Sequence, residues 1–225
     1  MRRGTLRPRT VRCGEDNTRK RTEGMDLEAR LVALVAEAVV PVLKPRGYRK
    51  RRLTWMRETP DAAHEIALQR SHGNGRDHLR IYIEVAAYVP AFDEAIGRSV
   101  PASMAAGTAQ YRQRFEDVVD WPSQWIDLEA WPQDELVGRL REAMEILSDH
   151  LDAIRSADAL AAAKLAVSAG LDVDLFAWWC VTANEAERTA QYRQALATFG
   201  EEERWPRLRA QFATVATRHG LSLPD

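Results

Sequence analysis

The sequence predicts an α+β fold: an N-terminal helix packed on an antiparallel meander of three to four strands, then amphipathic helices and a C-terminal helical tail. Three observations predict it. Leu27, Leu31, Leu34, Val35, Ala38 and Val42 recur at spacings of three and four, one apolar stripe of a helix. Leu79, Ile81, Ile83, Val85, Ala87 and Val89 then alternate with Arg80, Tyr82, Glu84, Ala86 and Tyr88, the period of a half-buried strand. After residue 132 the helical period returns and persists almost to the end, in a chain long enough to build a sizeable core.

The elements follow in order. Residues 1–24 carry eight Arg/Lys against three Asp/Glu and lack apolar periodicity, the profile of a disordered basic tail or of a gene-model extension ahead of an initiating Met25. Asp26 is placed as an N-cap, and Pro41 and Pro45-Arg46-Gly47 are expected to end the first helix. Tyr48–Arg57, Ala63–Arg70 and His78–Val89 read as strands joined by Pro60-Asp61 and Gly73-Asn74-Gly75; such short gaps impose antiparallel pairing. Gln124–Leu128 is a further strand candidate. Pro132 opens a long amphipathic helix over Gln133–Ile154, and Ala157–Ala169, Val173–Phe199 (with a break near Thr182) and Glu201–His219 form the tail. The expected organisation is residues 1–24, an α+β domain over 25–155 and a helical appendage over 156–225.

Composition excludes several classes. Cys13 and Cys180 cannot staple a fold, and a reduced, cytoplasmic protein is expected. The longest apolar stretch, Leu31–Leu43, is too short to span a bilayer and contains Glu37, and the N-terminus has no signal-peptide core. His64, His72 and His78 fit no metal-ligand spacing, Gly73 and Gly75 form no phosphate loop, and no Cys–His nucleophile pair is apparent; no cofactor or metal is implied.

Leu43-Lys44-Pro45-Arg46-Gly47-Tyr48-Arg49-Lys50, then Thr54-Trp55, then Leu68-Gln69-Arg70-Ser71, then an alternating strand ending at Tyr88, come in an order that resembles the bacterial domain-of-unknown-function 4304 family over about Asp26–Ile154. Glu84 stands where the family pattern leads one to expect Asn. The resemblance implies an α+β fold and assigns no activity.

The densest charge feature is Lys44–Arg57, with Lys44, Arg46, Arg49, Lys50, Arg51, Arg52 and Arg57 and no acid. Cations alternate onto both faces of the first strand, so that end must reach solvent or a cleft. Three readings stand: a site for an anionic ligand, nucleic acid or acidic partner, with Tyr48 and Trp55 as stacking surfaces; a solvated edge that blocks aggregation; and internal pairing with the acidic stretch Glu116–Asp158. Gln69, Arg70 and Ser71 would join the cluster if they lie beside Arg49 or Arg51; otherwise they form a ladder that fixes register. The resulting expectation is a binding protein without catalysis, its surface formed by Lys44, Arg46, Tyr48, Arg49, Lys50, Arg51, Arg52, Trp55, Gln69, Arg70 and Ser71. Two alternatives accompany it: an enzyme on a phosphorylated or nucleic-acid substrate, with Arg49, Arg51 and Arg70 as clamps and His64 as base, and an immunity- or antitoxin-like regulator that binds a protein partner through Gln133–Ile154.

Overall fold

The computed structural model describes residues 26–75, 77–101, 108–168 and 172–223; the expectations for residues 1–24, for Met25 and for Cys13 lie outside them. The first helix runs in three consecutive segments, α1 (Leu27–Leu34), a π turn (Val35–Val39) and α2 (Val40–Leu43). Asp26 caps it, its carboxylate accepting from the amides of Glu28 and Ala29 at 3.1 Å. Pro41 does not end this helix, contrary to expectation. Proline has no N–H for the carbonyl one turn back, at Glu37, and Arg141 Nη2 donates to that oxygen instead at 2.7 Å. The local widening to a π turn accommodates the ring, and the chain stays helical to Leu43. The reversal comes at Gly47, whose φ of +86° favours glycine.

Strands β1 (Arg49–Arg51), β2 (Thr54–Glu58), β3 (Ala63–Arg70) and β4 (Arg80–Tyr88) form an antiparallel meander. Tyr48–Arg57, expected as one strand, folds instead into the β1–β2 hairpin, because the chain reverses at Arg52–Leu53, where Arg52 takes a φ of +59°. Two short strands extend it along the outer edge of β4: β5 (Tyr111–Arg114) pairs with Glu84–Ala87, and β6 (Ile126–Asp127), the realised part of Gln124–Leu128, pairs with Arg80 and Ile81. The helix α3 (Pro90–Ala95) follows β4, and α4 (Gln133–Asp152) packs beside the first helix on one face of the sheet. That face contributes Trp55, Ile66, Leu68, Ile81, Ile83, Val85 and Ala87, all at most 3% exposed. The opposite face carries Thr54, Met56, Glu65, Gln69, Tyr82, Glu84, Arg112 and Arg114, none of them fully buried.

The tail comprises α5 (Ala157–Ser168), α6 (Val173–Thr182), α7 (Glu185–Phe199) and α8 (Trp205–Arg218). The break near Thr182 is real: Asn184 caps α7 in a reciprocal capping box with Glu187. Leu160, Phe176, Tyr192 and Phe212 are buried in the same apolar cluster as the sheet residues. No helix among the described residues is long and apolar enough to cross a membrane.

Candidate anion-binding cleft

The end of α2, the Gly47 turn and the first hairpin build a concave surface at one edge of the sheet. β1 is the outermost strand, pairing Arg49 with Met56, Lys50 with Trp55 and Arg51 with Thr54. The two-residue connection Arg52–Leu53 has φ +59° at Arg52 and no positive φ at Leu53, the pattern of a type II′ turn, whose first position usually holds Gly. A side chain there is strained, and the strain places a further cation at the hairpin tip. Beneath the strand lies a cleft of about 600 Å³ lined by Val40, Lys44, Gly47, Tyr48, Arg49, Lys50 and Trp55. Its floor is apolar (Val40, Tyr48, Trp55) and its rim is cationic (Lys44, Arg49, Lys50).

The basic run divides into two sets. Arg46 pairs with Asp149 near the end of α4. Arg57 turns into the interior, its side chain 10% exposed, where its guanidinium pairs with Asp152 and sits 4.6 Å from the centre of the Tyr48 ring. Asp152 feels burial that raises its pKa, but the hydrogen bonds and charges of Arg57 and Arg155 prevail and hold the carboxyl below its ordinary value. The expected internal pairing with the acidic stretch therefore holds for Arg46 and Arg57. Lys44, Arg49, Lys50, Arg51 and Arg52 form no ion pair with any described residue.

Other expected members are placed elsewhere. Tyr48 and Trp55 are 4% and 1% exposed, and Arg57 and Lys50 lie against their rings, with Lys50 Nζ 5.5 Å from the Trp55 centroid. They form the floor of the cleft and do not offer open faces for stacking. Gln69, Arg70 and Ser71 do not lie beside Arg49 or Arg51, because the register sets Arg51 against Thr54 and Thr54 against Ala67, short of Arg70. Arg70 instead pairs with Glu28 of α1, and Ser71 Oγ accepts from the Gly73 amide at 3.2 Å. Gln69 is opposite Tyr82, accepts its hydroxyl proton, and donates to Glu84 at 3.1 Å. That is the register-fixing ladder, extended by an ion pair from Arg112 to Glu84.

His64 is fully buried and both ring nitrogens are engaged. Nδ1 accepts from Arg57 Nη2 at 2.9 Å, and Nε2 donates to the Ile154 carbonyl at 3.0 Å. Burial holds its pKa below that of a free imidazole. His64 does not line the cleft and has both ring nitrogens engaged in hydrogen bonds, so the structure does not place it as the base that the catalytic alternative named.

Sequence spacing did not reveal one constellation. His78 in the β3–β4 connection lies 2.8 Å from Glu129 and 3.9 Å from Asp127, and ligand atoms of the three fall within 4.8 Å of one another. These types could hold a metal, but Arg80 Nε at 2.9 Å and the Leu79 amide at 2.9 Å already occupy part of their acceptor capacity. Roughly fifty residues separate His78 from Asp127 and Glu129 in the chain, and the β4–β6 pairing brings them together.

The family model described as Domain of unknown function (DUF4304) matches residues 39–151, half of the chain. The chain belongs to the DUF4304 family. The matched span starts in the π turn and ends in the last turn of α4, so it contains the whole sheet and the entire cleft. The tail helices α5–α8 lie beyond the DUF4304 match. No curated protein and no solved structure matches the chain.

Proposed function

We propose that this DUF4304 protein is a binding protein without catalysis, and that the cationic β1 edge, with the cleft beside it, captures an anionic group of its ligand or partner. One observation carries the reading: five cations remain without an acidic neighbour along the β1 hairpin and the end of the first helix, three of them (Lys44, Arg49 and Lys50) lining an apolar-floored cleft, while Arg46, Arg57 and Arg70, close by in the chain, are each neutralised by a carboxylate. Solvation of an edge strand alone would be served by one or two charges and gives no reason for a cavity beside them.

The test is fluorescence anisotropy of labelled polyglutamate with the full chain. Affinity should fall at least about tenfold between about 50 and about 300 mM salt, as screening shortens the reach of exposed charges. Reversing both rim charges, Arg49→Glu with Lys50→Glu, should abolish binding, whereas Arg209→Glu on the exposed side of α8 should leave it unchanged. Equal affinity for the rim variant and the unaltered protein would overturn the reading.

A further inference from the structure

We infer that the occupant of this site is an extended acidic segment of a partner protein, which adds to the sheet as a strand along the outer edge of β1. The inference rests on the anion-capturing role of the cationic β1 edge and adds the class of partner and its mode of attachment.

The backbone supplies the first reason. A two-residue turn makes Arg51 and Thr54 a hydrogen-bonded pair, so Arg49 and Met56 form the next such pair and Lys50 and Trp55 do not exchange main-chain hydrogen bonds. The Leu68 amide bonds to the Leu53 carbonyl at 2.8 Å, which fixes the complementary alternation between β2 and β3. The N–H and C=O of Lys50 therefore point away from the sheet, and among the described residues no strand pairs with that edge. An incoming strand finds a donor and an acceptor at the centre of the cationic patch.

Side chains supply the second reason. A residue opposite Lys50 projects to the same side as Lys50 and Trp55, over the apolar floor of Val40, Tyr48 and Trp55. Its two neighbours project to the other side, against Arg49 and Arg51. The matching sequence is acid, apolar, acid. A single-stranded nucleic acid fits less well, because the only aromatic rings in the cleft, Tyr48 and Trp55, are buried and covered, which removes the stacking that such binders use.

The probe is a labelled peptide, acetyl-Ser-Thr-Glu-Val-Glu-Thr-Ser-amide, compared with the same peptide N-methylated at alternate amides in each of the two possible phases. Methylation keeps the charge and removes main-chain donors from one edge. The expected result is salt-dependent binding of the parent peptide, retention in one phase and a loss of about tenfold or more in the other. On the protein side, Lys50→Ala removes the charge and Lys50→Pro removes the charge together with the outward N–H, which does not bond to β2; Lys50→Pro should bind about tenfold more weakly than Lys50→Ala, with circular dichroism and melting temperature confirming that both fold. Equal binding of both methylated phases and of both variants would overturn strand addition while leaving the anion site standing. No binding of the parent peptide together with undiminished binding of polyglutamate would also overturn it. Failure of both probes would overturn the anion site itself.

Discussion

Replacing Asp152 with Ala strands Arg57, and the loss should exceed that caused by removing Arg57 itself. The Arg57 side chain is 10% exposed and held between the Tyr48 ring, His64 and the end of α4, and a guanidinium cannot shed its charge to escape burial. Deleting one partner of a fully buried pair costs about 3–5 kcal/mol. The Asp152 side chain is 30% exposed, so water reaches the vacated position, and the expected cost falls to about 2–3 kcal/mol. In a protein of this size that corresponds to a fall in melting temperature of about 4–12 °C. Arg57→Met behaves differently. It leaves Asp152 against Arg155 and solvent and lays a neutral side chain on Tyr48, so about 1–2 kcal/mol is expected. In Arg57→Met/Asp152→Ala no cation is stranded, and the double variant should lose less than the sum of the single losses by at least about 1 kcal/mol. The assay is equilibrium denaturation at neutral pH of the four proteins. Equal losses in the two single variants, or strict additivity in the double variant, would refute Arg57 as the group left stranded.

Arg52→Gly should raise stability by about 0.5–1 kcal/mol, because glycine removes the side-chain strain at φ +59° while giving back part of the gain as unfolded-state entropy; a lowered melting temperature would contradict this. Stability should fall as pH drops from 7 to 5. Burial holds the folded pKa of His64 and of His150 below 6.5, so the unfolded chain takes up more protons below that value, and the contribution present above pH 6.5 is lost as the pH falls toward the folded values. Denaturation midpoints that stay level or rise over this interval would count against it.

The strand β4 was legible because each of its core-facing positions is a large apolar residue or Ala87, and nothing else fits a period of two. β5 was not, because among Tyr111, Arg112, Gln113 and Arg114 only Tyr111 is buried, and four residues with one apolar member carry no period. Pro41 misled for a tertiary reason: the donor that repairs the helix, Arg141, lies a hundred residues away. The site shows the same division. The seven cations were visible as a run, but which of them are neutralised depends on Asp149 and Asp152, positioned by the packing of α4 on the sheet. His64 looked available as a base only because its partners, Arg57 across the strand pair and the carbonyl of Ile154, are fixed by the register and by the end of α4.

Proximity to acid does not explain which cations remain free. The last turns of α4 present Asp149 and Asp152 within reach of Arg46 and Arg57, the residues on either side of the hairpin-bearing segment, and both pairs are made. Arg49, Lys50, Arg51 and Arg52 lie between these two in sequence, yet the turn at Gly47 and the edge position of β1 carry them past the end of α4 into solvent, and Lys44 is exposed at the end of the first helix. Four consecutive like charges repel one another in the native hairpin, and Arg52 adds a disfavoured backbone conformation at the same place. A chain selected for stability alone would relieve both with neutral residues and a glycine. Repulsion, strain and an unpaired main-chain edge kept together beside one cleft are what the proposed binding would require, and they are the features that favour it over a solvated edge.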